Sequence, residues 1–310
     1  KTGPAMGTPI VATTQEFNSS TSTITAAAWA SGGALNTART LGGSALPAQN
    51  SGIIFGGSPY TGATEQYDGT SWTEKGDLNT ARGYISGFGT ETAAVCAGGY
   101  TTPPSGMAIV EEFNGTSWSE ETNLPSNLMV AGNCGTMTAG LLMGGSTAHG
   151  PFTGNMVTTT SEYDGTNWTA GNALPAARAL GMSGGTQTAA YYAGGYAPGY
   201  VATTIEYDGT NYSAGGDLAF GAGPPAGFLG AIGTLTGGLA ASGLPSTNLV
   251  NTYDGTAWFT SPSYTTSRNR GFSGGTHTSA IIAGGSGPTT VTEEFNVETT
   301  AANIETLTTS

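Results

Sequence analysis

Glu65-Gln66-Tyr67-Asp68-Gly69-Thr70-Ser71-Trp72 decides how this chain is read, because it comes back. It returns as Glu112-Phe113-Asn114-Gly115-Thr116-Ser117-Trp118, as Glu162-Tyr163-Asp164-Gly165-Thr166-Asn167-Trp168 and as Glu206-Tyr207-Asp208-Gly209-Thr210-Asn211-Tyr212. Tyr253-Asp254-Gly255-Thr256-Ala257-Trp258 is the fifth full copy, and in all five the two aromatics are five residues apart. Shorter copies stand at Glu16-Phe17-Asn18 and Glu294-Phe295-Asn296. Self-similarity at a fixed period marks a repeat architecture.

Each copy reads as a β-hairpin. Asp-Gly or Asn-Gly between two short alternating runs is the strongest local signal for a two-residue type I′ turn, which needs positive φ at both central residues. In Glu112-Phe113 and Ser117-Trp118 a polar residue alternates with an aromatic, as a half-buried strand requires. A lone hairpin is marginal in water, so further strands must come from the same repeat.

Those strands are legible on either side. Six residues after the Trp comes an apolar residue: Leu35, Leu78, Leu124, Leu174 or Leu218, with Tyr264 in the last copy. Arg39, Arg82, Arg178 and Arg268 follow in four repeats. Next comes a Gly-Thr-x-Thr turn (Gly89-Thr90-Glu91-Thr92, Gly135-Thr136-Met137-Thr138, Gly185-Thr186-Gln187-Thr188, Gly275-Thr276-His277-Thr278), and nine residues later Gly-Gly, as at Gly98-Gly99. The first strand of a repeat is Gly-rich, which suits a place where backbones crowd. The second is small and apolar, as in Ala93-Ala94-Val95-Cys96-Ala97. The third carries Glu-Tyr/Phe and the fourth the Trp. Four antiparallel strands on a period of 42 to 50 residues make one propeller blade.

The run Gly-Gly, Glu-x-Tyr/Phe, Trp, Leu-Pro-x-x-Arg resembles the kelch repeat over nearly the whole chain, most clearly at Leu124-Pro125 and Leu174-Pro175-Ala176-Ala177-Arg178. The resemblance implies an all-β, kelch-like β-propeller. Six complete four-stranded blades are expected; the alternative is seven, the extra one formed by a terminal hairpin. Residues 1–35 are expected to form an N-terminal hairpin, as ring closure or partial blade, in one domain with the propeller of residues 36–310. Kelch-type propellers serve as enzymes, adaptors and carbohydrate binders, so the fold does not carry the function.

Composition narrows the partners. The chain has 310 residues with 52 Gly, only 9% charged residues and a net charge of −13 from 20 acids against 7 bases. Five Arg and two Lys spread along the chain build no basic patch, so neither nucleic acid nor an anionic membrane surface is an expected partner. No apolar run approaches the ~20 residues of a membrane span. The opening Lys1-Thr2-Gly3-Pro4 has no apolar core of a secretory signal. Cys96 and Cys134 stand at non-equivalent places in neighbouring repeats; free buried thiols are expected, with a disulfide as the alternative.

Candidate chemistry is thin. His149 and His277 have no Cys, Asp or Glu at metal-ligand spacing, and surface histidines without a role are the expected reading, so no metal or cofactor is expected. A galactose-oxidase-like copper site needs two His and a Tyr–Cys pair. Here the two His belong to opposite faces, so that site is not expected. Asp68, Asp164, Asp208 and Asp254 are explained by turn chemistry, with Asn114 standing in for one of them. The repeated Glu65, Glu112, Glu162, Glu206 and Glu294 are expected to be structural, pairing with the few Arg.

In a meander the 1–2 and 3–4 turns share one face and the 2–3 and 4–1 connections the other. The turns here are short and uniform, while the 2–3 connections vary in length, and variable loops on a rigid scaffold are where binding lives. Aromatics break the symmetry there: Tyr60, Tyr100, Phe152, Tyr196 and Tyr200, with His149 beside them. They are the candidate ligand-binding residues, able to stack on sugars or to form a protein hot spot; capping of the core is the competing role.

In style the chain resembles the kelch-like propellers of structural proteins from marine and cyanobacterial phages. That resemblance implies a non-catalytic structural or adhesion module, extracellular or on a virion (fibre, appendage or capsid decoration). It would bind host surface glycan or another virion protein through its 2–3 loops, with homo-oligomers expected. A glycan-active lyase or hydrolase on a propeller scaffold is the alternative, and an intracellular adaptor ranks last.

Overall fold

The computed structural model describes residues 21–101, 105–149, 154–219, 231–241, 247–287 and 289–303. Glu16-Phe17-Asn18, Phe152, Pro224-Pro225 and Ser242-Gly243 lie outside the described residues. Among those described there is no helix, and the strands form six four-stranded antiparallel sheets and one two-stranded ribbon.

The repeat's hairpin forms, with a different turn from the one its Asp-Gly suggests. Tyr67 pairs with Trp72, which leaves four residues, Asp68 to Ser71, in the loop. Only Gly69 takes positive φ, at 91°. Asp68 Oδ1 accepts from the backbone N–H groups of Thr70 and Ser71, both at 2.8 Å. The carboxylate therefore organises the loop, and the aromatic spacing of five was the signal for its length. Asp164, Asp208 and Asp254 repeat the geometry, as does Asn114.

Blade 1 contains Gly43–Ala48, Ser51–Phe55, Thr64–Tyr67 and Trp72–Glu74, hydrogen-bonded in that order from the inner strand outwards. Blades 2 to 5 repeat it over residues 86–120, 132–171, 182–214 and 231–261. Blade 6 takes Phe272–Thr276, Ser279–Ala283 and Thr292–Asn296 from the C-terminal side. Its outer strand is Ala28–Ser31, with Trp29 opposite Phe295. The N-terminal Trp strand and the C-terminal Glu-Phe strand thus complete one blade, which settles the count at six.

Six apolar clusters fill the seams between successive blades. Ile53, Phe55, Cys96, Phe113 and Trp118 pack between blades 1 and 2, and Ile54, Tyr67, Trp72, Phe272 and Ile281 join blade 6 to blade 1. The small second strands and Gly-rich inner strands let the aromatics of the third and fourth strands reach the neighbouring sheet. In the Gly-Thr-x-Thr turns a Cβ on Gly89, which has φ 117°, would lie 2.2 Å from the Ala93 carbonyl oxygen. A side chain there strains the turn.

Polar contacts complete each seam, and they correct the expected role of the repeated glutamates. Two acidic positions exist, not one. The residue two before the aromatic pairs with the repeat's Arg inside its own blade: Arg39 with Glu65 at 2.6 Å, Arg82 with Glu111, and Arg268 with Glu293 at 3.1 Å. The residue one before the aromatic instead faces the next blade's tyrosine. Tyr67 donates to Glu294 at 2.5 Å, Tyr163 to Glu112 at 2.8 Å, Tyr207 to Glu162 at 2.6 Å, and Tyr253 to Glu206. Burial first, and the carboxylate second, push the phenols of Tyr67 and Tyr253 up to about 12. Where the aromatic is Phe113 or Phe295, the preceding blade carries Gln66 or Thr252 in place of the glutamate.

The contacts divide the chain into two units, residues 27–297 and residues 1–26 with 298–310. The first is the propeller. Of the second, the described part is the antiparallel ribbon Thr21–Thr25 with Thr299–Asn303.

Candidate functional site

The symmetry-breaking aromatics of the first three blades come together. Tyr60 lies 5.2 Å from Tyr100 between ring centroids, and His149 lies 4.6 Å from Tyr100. A fourth ring, Tyr84, completes the group at 4.7 Å from Tyr100 and 5.2 Å from His149. Tyr100 is the buried centre, at 2% exposure, while Tyr60 is 42% exposed. Burial, then hydrogen bonding with the side chains of Tyr60 and Tyr84, raises the Tyr100 phenol well above its ordinary value. Tyr100 is thus the buried ring on which the other three pack.

Tyr196 and Tyr200 form a second contact within the blade 4 loop, at 5.2 Å between centroids, with Tyr200 exposed. Phe152 is not among the described residues. Of the six candidates, then, three join one cluster and two another.

Tyr84 escaped the sequence reading. It sits two residues after the repeat's Arg82, a place held by Leu41, Val130, Leu180 and Arg270 in other blades. An aromatic at a position otherwise aliphatic in three copies was the available signal. All five of these residues have left-handed backbone, with φ between 49° and 65°. For a residue with a Cβ that costs about 1–2 kcal/mol. A circumferential chain of backbone hydrogen bonds offsets it. Leu41 N–H donates to Arg270 O at 2.9 Å, Tyr84 to Leu41 O at 2.6 Å, Val130 to Tyr84 O at 3.1 Å, and Leu180 to Val130 O at 3.1 Å.

Leu41, Tyr84, Val130 and Leu180 of this arc line one end of the central channel, a cavity of about 340 Å³ walled by inner-strand residues of all six blades. Tyr84 belongs to both the channel wall and the aromatic cluster. The wall carries Ser44, Asn133, Ser183 and Ser273 at matching strand positions. Ser183 is partly committed to its neighbour, since its hydroxyl accepts from Asn133 N–H at 2.7 Å and donates to Asn133 O at 2.9 Å.

Elsewhere the chemistry is structural. Cys96 and Cys134 are free and buried, and burial pushes both thiols up to about 12. Among the described residues no group of three His, Cys, Asp or Glu is placed to hold a metal ion. His277 is exposed on the turn face, across the propeller from His149. The turn aspartates are held below the ordinary carboxylate range by the backbone N–H groups they accept from.

The fold makes this chain a six-bladed β-propeller. No protein-family model matches it, and no curated protein matches it. Among solved structures it is similar to one described as "Structure of YjhT", with a TM-score of 0.68 and 14% identity. The match covers 86% of this chain and 99% of that one. At that identity the likeness is one of fold alone.

Proposed function

We propose that this propeller is a non-catalytic binding module of an extracellular structure, a virion fibre, appendage or capsid decoration, that attaches to host surface glycan through its long-loop face. The observation that supports this reading is the Tyr60–Tyr84–Tyr100–His149 cluster. It is absent from the repeat consensus, and it is gathered from three blades onto the face of variable loops. Exposed aromatic faces stack on the apolar faces of sugar rings, and a buried tyrosine hub holds them in place without a metal or a charge. The kelch-like, Lys-poor and Gly-rich repeat suits an external part built of short turns. A second virion protein is the other partner of the same chemistry, since clustered tyrosines also make protein hot spots.

Glycan-array binding of the full chain, with Tyr60→Ala and Tyr200→Ala beside the wild type, tests the reading. Specific binding that is lost in Tyr60→Ala is the expected result. Equal array signals for wild type and both variants, or no signal at all, would overturn glycan attachment at this face.

A further inference from the structure

We infer that the central channel is itself a ligand site, taking the end of a neutral, hydroxyl-rich ligand of mono- or disaccharide size. The inference rests on the glycan-binding reading and adds to it both the place and the charge class. Three observations carry it.

First, at about 340 Å³ the cavity falls within the ligand-pocket range of about 300–1,000 Å³. Second, among the described residues its wall contains no Asp, Glu, Lys, Arg or His, with Arg270 standing next to Leu41 at the mouth but outside the lining; the polar groups the wall offers are hydroxyls, amides and the peptide backbone of glycine-rich strands. Such a wall can meet sugar hydroxyls as donor and acceptor, but it has no counter-charge for a carboxylate or sulfate, and taking an unpaired charge out of water is costly. Ser44 is half-buried on the wall, and its side chain makes no hydrogen bond among the described residues, so its hydroxyl is available. Third, the entrance is marked. Tyr84 lines the channel and stacks with the aromatic cluster, so a sugar held at the rim by Tyr60 has a continuous aromatic edge leading inwards. The hydrogen-bonded arc of five left-handed residues braces that entrance over the described blades, which lowers the ordering cost of binding.

The test is isothermal titration of the full chain with galactose, glucose, N-acetylglucosamine, lactose and maltose, and with glucuronate as the anionic comparison. Wild type is run beside Ser44→Leu, which narrows the channel, Asn133→Asp, which places a charge in it at constant volume, and Tyr60→Ala at the rim. Circular dichroism shows which variants fold, and either channel variant alone decides the outcome. At least one neutral sugar is expected to bind wild type, with glucuronate silent and the channel variants weaker by about tenfold or more. Neutral-sugar binding that survives in a folded channel variant overturns the channel site; if Tyr60→Ala loses it, the rim reading stands alone. Loss in the channel variants with full binding in Tyr60→Ala keeps the channel and removes the rim. No binding by any of the five neutral sugars overturns the channel site whatever the glycan array shows.

Discussion

Blades 2 and 4 come from the same repeat, and both send a glutamate to the next blade's tyrosine, yet their arginine and their own third-strand aromatic find different polar partners. In blade 2 the repeat's arginine has a carboxylate: Arg82 meets Glu111 in the interior and also donates to the carbonyls of Gly98 and Cys96. In blade 4 the equivalent carboxylate position is Ile205, and Arg178 turns to the Tyr192 and Thr203 carbonyls, the Thr203 hydroxyl and the face of Tyr192 at 5.6 Å. Burial lowers the pKa of Arg178, but carbonyl dipoles and a π face suffice to keep the group in place. At the seam with the preceding blade the order is reversed. Blade 2 presents Phe113 to Gln66, with no ionised partner, whereas blade 4 presents Tyr207 to Glu162 at 2.6 Å. The comparison shows that the arginine's constant task is to staple the second strand to the loop that follows it. The glutamates are additions: blades 2 and 6 carry one inside and one towards the next blade, blade 1 only the inner one, and blades 3 and 4 only the outer one.

The largest break in this comparison is expected inside blade 2. Glu111→Ala leaves the fully buried Arg82 without its counter-charge and should cost about 3–5 kcal/mol, read by chemical denaturation. Arg178→Met in blade 4 removes no ion pair and fills similar volume, so a markedly smaller loss is expected. Equal losses would show that the carboxylate contributes nothing beyond the carbonyl contacts.

A smaller effect is expected at the seams. Glu162→Ala strands the Tyr207 hydroxyl and should cost about 1–3 kcal/mol. Gln66→Ala, at the same position facing Phe113, should stay within about 0.5 kcal/mol. Gln66→Glu combined with Phe113→Tyr should then recover stability lost in each single change, since contacting residues couple by about 0.5–3 kcal/mol. Additive losses in that cycle would show that the Glu–Tyr pairing is not transferable between seams.

Much of this was legible from the chain alone, because a repeat states its rules several times. The propeller, the four strands of each blade and the two faces follow from motifs recurring in phase. The blade count needed the pairing of Trp29 with Phe295, a contact between the two ends of the chain that no local pattern records. The two glutamate roles were readable in principle: Tyr is preceded one blade earlier by Glu, and Phe by Gln or Thr. The pattern appears only when positions are compared around the ring instead of within a copy. The indole contacts obey the same rule. Trp72, Trp118 and Trp258 donate to Thr292, Thr64 and Thr204 of the preceding blade. Where that threonine is Val110 or Val250, the indoles of Trp168 and Trp29 turn to the Thr122 and Pro262 carbonyls. Of the candidate site, the loop aromatics could be named but not grouped. Tyr84 was hidden because its importance comes from a left-handed backbone at the channel mouth, which three-dimensional crowding imposes and composition does not announce.

The smallest effect is expected on the turn face, where blades 2 and 4 differ by one atom pair: Asn114 in one, Asp208 in the other. Both side-chain oxygens accept from the backbone two and three residues on, at 3.0 Å in each contact of Asn114 and at 2.8 and 2.6 Å for Asp208. Asp208→Asn should therefore leave stability at neutral pH nearly unchanged. The acid limb separates the two residues. Hydrogen bonds from Asn211 and Thr210 hold Asp208 below its ordinary value, so its contribution is present above the unfolded carboxylate pKa and is lost as pH falls through the folded one. Denaturation midpoints measured from neutral to strongly acidic pH should fall less steeply for Asp208→Asn than for wild type. Parallel curves would mean that the carboxylate's charge adds nothing to its geometry, and that the turn takes whichever acceptor the repeat happens to supply.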